Sequence, residues 1–597
     1  MSLAAEICHM LTARQRRSVA AMQGVSLLMA LSTASGIASI APFFAVLGEP
    51  ALIEHNAWLH WLYVAAGFSS PLRFTFALGA GFAGVVALSN LVSVIGALAM
   101  NRLALRIGNE LQTTLFEEYL ARPYAFHARS SSTVLLNNVI YETTRITHGI
   151  LENAFVLITQ LVTAALIVGS IVMVNVAVAL AMVAALAGGY LAIYLSVRNR
   201  LLLRGATQSV LANEQAQIVR ESFGAIREVI ILQVRDFFCR RFERASREFL
   251  GAAASTQLVG QSSRNLMECV AAAGLVALAL LLAARAGGLG PSLGPLTFLA
   301  FAAYRLLPTL QQLFAAVVRI RADRAALAVI GPDLQRARAA GARNRHRPDT
   351  AWGERPQHEI RLEGVSYRYA PNRDWALRGV SLRICARTTV GIVGANGSGK
   401  STLADLIAGL LTPTAGRIEV DGCALDDDRR AAWQRCIAYV PQNVFLLDAS
   451  IAENVALGAA AGVDRSRLLE AAQLAQLDEV VRTLPNGYAE RIGERGIALS
   501  GGQRQRIGIA RALYRKASLL LLDEATSAVD GLTEEELVAT LAALRARHTI
   551  VLIAHRIETL RACDWIFELE QGRLAGGGSY DALLKGPAAP RRSVRLR

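Results

Sequence analysis

The sequence predicts a two-part chain: an α-helical membrane domain of six spans, followed by an α/β domain of the P-loop class. Three observations carry this. The 597 residues are 53% apolar with mean hydropathy +0.36, well above an ordinary soluble chain of this length. Long uncharged runs crowd the first half, while the second half alternates short apolar runs with turn residues. A glycine-rich pattern, GANGSGKS from Gly394 to Ser401, follows an apolar strand-like run, as phosphate-binding loops do.

A span needs about 20 apolar residues at a rise of about 1.5 Å each. The first runs from about Val19 to Leu47, too long for a signal peptide, and no convincing cleavage site follows it. The second is Phe74–Met100. The stretch Gly149–Val197 holds two, turning at Asn175. The fifth is Leu266–Ala284 and, after the break AGGLGPSLGP, the sixth is Leu296–Val318. Residues 1–330 are then the membrane domain, 331–355 an arginine-rich linker, 356–586 the α/β domain and 587–597 a basic tail.

Arginine placement orients the spans. Residues before span one, Arg102–Arg145, Arg198–Arg247 and everything after Arg319 are basic, whereas Glu49–Ser70 has neither Lys nor Arg. Both termini are expected in the cytoplasm. The formal net charge of +15 is thereby accounted for by cytoplasmic loops rather than by a nucleic-acid groove. Short helices around Tyr124–Ser131 and Glu221–Glu228, at the tips of the two long basic loops, are expected to contact the α/β domain; a merely solvated hairpin is the alternative. The seven cysteines show no metal-ligand spacing and read as reduced thiols.

In the second half, glycines free backbone N–H groups to face phosphates, and the helix that follows favours their charge. Gly394, Ala395, Asn396, Gly397, Ser398, Gly399, Lys400, Ser401 and Thr402 are therefore expected to cradle a nucleotide, with Lys400 on its β- and γ-phosphates and Ser401 on Mg²⁺. The run ASLLLLDEATSAVD reads as a buried strand ending in Asp523, to hold Mg²⁺, and Glu524, to polarise an attacking water. The bland alternative is a buried strand that happens to end in acids.

Between these runs stands LSGGQ, Leu499–Gln503. With the flanking motifs in this order, the stretch from about Glu359 to Gly586 resembles the ATP-binding domain of ABC transporters. The resemblance implies that Tyr369 stacks on adenine, Gln442 senses the Mg²⁺ site, Asp530 ends a D-loop, His555 contacts the γ-phosphate, and GERG at Gly493–Gly496 touches the intracellular loops. Tyr369 as a core tyrosine and His555 as a structural histidine are the alternatives. Ser500, Gly501, Gly502 and Gln503 open a helix whose amides can bind a γ-phosphate, and in this family that phosphate belongs to ATP on the other subunit. One ATPase domain and six spans thus imply a homodimer with two hydrolysing sites. The domain order resembles exporters of the six-plus-six type, and ATP and Mg²⁺ are the expected cofactors.

For the substrate, the segment between spans one and two has Trp58, Trp61, Leu62 and Ala65 on one helical face, fitting an interfacial helix or an ordinary external loop. It is similar to the external helix of bacterial lipid-linked oligosaccharide flippases. Arg305 inside span six and Arg264 near the start of span five are costly in a membrane. Either they line a cavity that takes a pyrophosphate headgroup, or they pair with Glu268 or Glu152 or snorkel. The reading is ATP-driven flipping of a polyprenyl-pyrophosphate oligosaccharide across the cytoplasmic membrane; the alternative is an exporter of other lipids, drugs or peptides. A soluble ATPase acting on nucleic acid is excluded by six spans, and an ATP-gated channel is disfavoured by intact Glu524 and His555.

Overall fold

The computed structural model describes residues 10–344, apart from 49, 175 and 287–292, and residues 357–584, apart from 460–461, 494–495, 497–498, 524–543, 546 and 555–557. The chain divides into two compact units. The first holds residues 1–122 and 129–346. The second holds 347–597 together with the short segment Pro123–Ala128.

The first unit is wholly helical among the described residues. Helix α1 (Ala13–Ala38) starts on a capping box, in which Thr12 and Gln15 satisfy each other's backbone N–H. Then follow α2 (Ile40–Gly48), α3 (Leu52–His55), α4 (Ala57–Ala65) and the long α5 (Pro71–Leu120). After α6 (Tyr124–His127), the chain runs through α7 (Ser132–Asn137) and two π-helical stretches, Asn138–Glu142 and Arg145–Leu151, into α8 (Glu152–Val174). Helices α9 (Val176–Gly224), α10 (Ile226–Ile231), α11 (Arg235–Ala286) and α12 (Leu293–Asn344) complete the unit.

Among the described residues, three helical stretches, Ala13–Phe44, Pro71–Leu120 and Ser132–Val172, are long and apolar enough to cross a membrane. The fourth to sixth expected spans fall within α9, α11 and α12. Leu88, Leu91, Ile95 and Leu98 are all exposed along one stripe of α5, a surface that suits lipid and not water. Ile37, Ile167, Ile171, Met267, Leu306 and Phe314 are buried together where α1, α8, α11 and α12 meet.

Several expectations shift. Asn175 lies outside the described residues, although helices end and begin on either side of it. The helix at the first loop tip is shorter than Tyr124–Ser131, spanning Tyr124–His127. At the second tip, α9 runs on to Gly224 and the short helix is Ile226–Ile231 rather than Glu221–Glu228, because Ala225 takes a non-helical conformation and restarts the chain. Helix α12 continues to Asn344, through the start of the expected linker. Leu62 lies at the inner edge of the face it shares with Trp58, Trp61 and Ala65: it is half-buried on the Val46, Ile53, Leu59 and Phe74 cluster, whereas Trp58, Trp61 and Ala65 face outward.

The π-helical stretches lie beside a buried ionic cluster. The Arg145 guanidinium donates to Asp323 at 2.8 Å, to Ser209 Oγ at 2.6 Å, to Glu142 at 3.1 Å and to the Ala322 carbonyl at 3.3 Å. Glu142 is fully buried. A side chain at Gly149 would overlap the Asp323 carboxylate, so only glycine lets these helices approach so closely.

The second unit opens on an antiparallel sheet: β1 (Glu359–Tyr367), β2 (Leu377–Cys385), β4 (Ala415–Val420) and β5 (Cys423–Ala424), in the order β2-β1-β4-β5. A second sheet, ordered β10-β9-β3-β8-β7-β6, joins β3 (Thr389–Val393), β6 (Ile437–Val440), β7 (Leu519–Asp523), β8 (Thr549–Ile553), β9 (Trp565–Glu570) and β10 (Arg573–Gly578). Its five strands from β9 to β6 are parallel. Leu519–Leu522 and Thr549–Ile553 are buried throughout, the continuous apolar pattern of strands covered on both faces. Helices α13 (Lys400–Ile407), α14 (Asp427–Arg435), α15 (Ile451–Val455), α16 (Arg465–Leu474), α17 (Asp478–Arg482), α18 (Gly501–Tyr514) and α19 (Tyr580–Leu584) complete this unit.

Candidate nucleotide site and membrane cavity

The sheet order brings the separate motifs to one edge. β3 runs into the loop that begins α13, β7 ends at Asp523, and β6 ends two residues before Gln442. β8 lies between β3 and β7, and the residue that follows it, Ala554, bonds back to Ile392. Ligands of parallel sheets gather outside these carboxyl ends. Glu524, His555 and Asp530 lie outside the described residues, but the strands that deliver Glu524 and His555 end here.

The loop is built for an anion. Gly399 sits at φ +101, and a Cβ there would meet the Ala376 carbonyl oxygen at 2.7 Å, so no other residue fits without strain. The loop's Ser398 Oγ is buried without a hydrogen-bond partner. The Lys400 ammonium is buried and donates to the carbonyls of Gly394 at 2.8 Å and Ala395 at 3.0 Å. An orphaned hydroxyl and a lysine curled onto its own loop fit a site awaiting phosphate oxygens. The Ser401 side of α13 is exposed, with the Asp523 carboxylate at the end of β7. These are oxygen donors of the type Mg²⁺ takes.

Tyr369 is half-exposed, edge-on to Tyr367 at 5.1 Å, and its hydroxyl lies 3.0 Å from Thr402 Oγ1. It thus stands over the start of α13 with ring surface to offer a base. Ser500 caps α18 in a second capping box with Gln503, which fixes the helix N-terminus at Gly501 and Gly502. Sequence reasoning missed two features. Gln505 is buried with neither end of its carboxamide bonded. Arg511 of α18 donates to the Asn454 and Phe445 carbonyls at 2.8 and 3.0 Å, tying that helix to the segment after Gln442. No spacing signal marks either residue. Of the stretch Gly493–Gly496, only the two glycines are described.

The segment Pro123–Ala128 belongs to this unit, and Ala125 packs on the cluster holding Leu403, Leu406 and Ile407. Burial, with the charges of Asp405 and Tyr369, pushes the Tyr124 phenol up.

In the first unit, a cavity of about 500 Å³ lies among α1, α5, α8 and α12. Its lining includes Asn90, Asn101, Glu152, Gln160, Arg305 and Gln312. Arg305 stands 5.9 Å over the Phe301 ring, and its Nε is buried without a hydrogen-bond partner. Glu152 instead takes His148 at 2.8 Å, and Gln160 donates to Gln312 at 2.5 Å. The alternative of Arg305 paired with Glu152 is therefore not what the described residues form. The Arg264 side chain lies outside the described residues.

Residues 28–305 match the family described as ABC transporter transmembrane region, and residues 377–527 the family described as ABC transporter. An ATP-dependent lipid A-core flippase of Ralstonia nicotianae is 32% identical over 482 residues, covering 79% of each chain. The heterocyst differentiation ATP-binding protein HepA of Nostoc is 31% identical, covering 81% of this chain and 77% of its own. A solved bacterial Atm1-family ABC exporter with ATP bound shares the fold at a TM-score of 0.75 and 23% identity, across 96% of this chain and 97% of that one. With both motif sets and both domains accounted for, the chain belongs to the ABC transporters, as an exporter-type half-transporter whose membrane domain is fused to its own ATP-hydrolysing domain.

Proposed function

We propose that this protein flips a polyprenyl-pyrophosphate oligosaccharide across the cytoplasmic membrane as a homodimer, with both termini in the cytoplasm. The observation that carries the reading is the cavity in the first unit. Amide side chains, Glu152 and Arg305 line it, Arg305 taking no carboxylate partner among the described residues, inside a bundle whose outer face is apolar. A guanidinium within a bilayer is costly unless an anion meets it, and a phosphate-bearing headgroup supplies both that anion and partners for the amides. The outward-facing Trp58 and Trp61 of α4 suit the headgroup level of a bilayer, where a polyprenyl chain would be handled.

At the nucleotide site, the loop amides and Lys400 hold the phosphates, and Ser401 and Asp523 hold Mg²⁺. When bound, the cation neutralises charge on the transferring phosphoryl group. Glu524 orients the attacking water, His555 meets the γ-phosphate, and Gln442 reports on the cation. Ser500–Gln503 bind the γ-phosphate of ATP on the partner subunit, so each of two sites needs both chains. A second reading, a lipid A-type phosphoglycolipid, is favoured by the name of the Ralstonia relative.

The test is ATPase activity in lipid nanodiscs with each lipid in turn. The expected result is stimulation by the polyprenyl-pyrophosphate oligosaccharide, absent in Glu524→Gln and lost in Arg305→Ala while basal turnover survives. Stimulation by lipid A alone would replace the first substrate with the second. Retained stimulation in Arg305→Ala would remove the cavity from either reading.

A further inference from the structure

The acidic end of β7 is not held by the nucleotide motifs alone. The Tyr439 hydroxyl of β6 donates to Asp523 Oδ2 at 3.0 Å. In the parallel pairing, Tyr439 is level with Leu521, and alternate residues share a sheet face. Its ring therefore reaches forward along the face that Leu521 and Asp523 share. From the other side comes Asp405, four residues after Ser401 on α13 and so on the same helix face. It is half-buried, and burial together with the charge of Asp523 pushes its carboxyl up to about 6. Beyond it stands Tyr124, on the turn contributed by Pro123–Ala128, whose phenol feels the charge of Asp405. Tyr439 in turn feels Asp523, Asp405 and Tyr124. Tyr439 itself belongs to no nucleotide motif.

We propose that Tyr439 is a positioning residue of the ATPase reaction: it fixes one carboxylate oxygen of Asp523 so that the carboxylate is held in one orientation toward the cation. The chemistry favours this division of labour. A phenol is a donor too weak to compete with a divalent cation for both oxygens, yet strong enough to stop the carboxylate rotating. A hydrogen bond to a charged acceptor is among the stronger ones in a protein. The inference rests on the reading of Asp523 as a cation ligand.

The experiment is a Mn²⁺ titration of the full-length protein in nanodiscs at saturating ATP, read by electron paramagnetic resonance, beside ATP affinity without metal. Tyr439→Phe keeps the ring and removes only the hydroxyl. It is expected to raise the half-saturating Mn²⁺ concentration by about tenfold with metal-free ATP affinity unchanged, a split that general damage to the fold would not give. Asp523→Asn is the control and should all but abolish bound Mn²⁺. Loss in Asp523→Asn with Tyr439→Phe unchanged would overturn the positioning role alone. Unaltered binding in Asp523→Asn would remove the cation reading, and the proposal with it.

Discussion

Asp405, half-buried, and Arg145, buried, illustrate how differently two hidden charges behave. Asp405 carries no hydrogen-bonded cation among the described residues, and burial is the first cause of its rise from 3.8 to about 6. A carboxyl whose folded value lies above its unfolded one disfavours the folded state once it must ionise. In the metal-free protein, its penalty is absent below about pH 3.8, grows as the pH rises to about 6, and is complete above. Asp405→Asn should therefore raise the stability of the ATPase unit at pH 7.5 by about 1 kcal/mol after allowing for solvent screening, a melting-temperature rise of a few degrees, but not near pH 4. Equal shifts at both pH values would mean that packing, not charge, is responsible. Arg145 is the opposite case, a buried cation whose guanidinium donors go to two carboxylates, a hydroxyl and a carbonyl.

At the scale of elements, that arginine is what the π-helical chain from Asn138 to Leu151 presents to α9 and α12. Even with Arg145 beside it, burial holds the Asp323 carboxyl above its usual range. Removing the cation from such a cluster leaves uncompensated buried charge, a loss of about 3–5 kcal/mol. Arg145→Ala should lower the melting temperature of the detergent-solubilised protein sharply, and adding Glu142→Gln and Asp323→Asn should recover much of it. No recovery would assign the loss to packing. None of this was legible in the sequence. Hydropathy located the span that starts near Gly149, but an apolar window is blind to which carbonyl a backbone N–H chooses, and Arg145 sits just outside it. The P-loop, by contrast, was readable to the residue, because Gly399 and Lys400 do local work that only those residue types can do. The helical face of Trp58, Trp61, Leu62 and Ala65 was readable from spacing, but not that Leu62 at its edge packs on the cluster of Leu59 and Phe74.

At the scale of the molecule, the sequence yielded both domains and their order, since apolar run length and a nucleotide motif set are each decided within short windows. What it could not yield were contacts between distant windows, such as Tyr439 with Asp523 or Ala125 with the α13 cluster. The orientation of the chain rests on arginine counts and is open to direct measurement. Cys239 is exposed on the segment expected inside, and Trp61 is exposed on the segment expected outside. A membrane-impermeant thiol reagent applied to right-side-out vesicles should label Trp61→Cys in a background lacking other cysteines. In a second background that keeps Cys239 alone, it should label nothing until the vesicles are opened. The reverse pattern would invert the topology.

The turn Pro123–Ala128 carries a consequence for biosynthesis. Its packing partners on α13 are encoded much later in the chain. At ribosomal rates of about 5–20 residues per second, the turn waits roughly 15–55 s after emerging before Leu403 and Ile407 exist to receive it. During that interval Tyr124 and Ala125 hang at the end of an already inserted hairpin with their surfaces uncovered, open to chaperones and proteases. The ATPase unit, for its part, is born last and closes over a piece made early. A ribosome that stalls after span six thus leaves behind a membrane domain whose first cytoplasmic loop has nothing to hold.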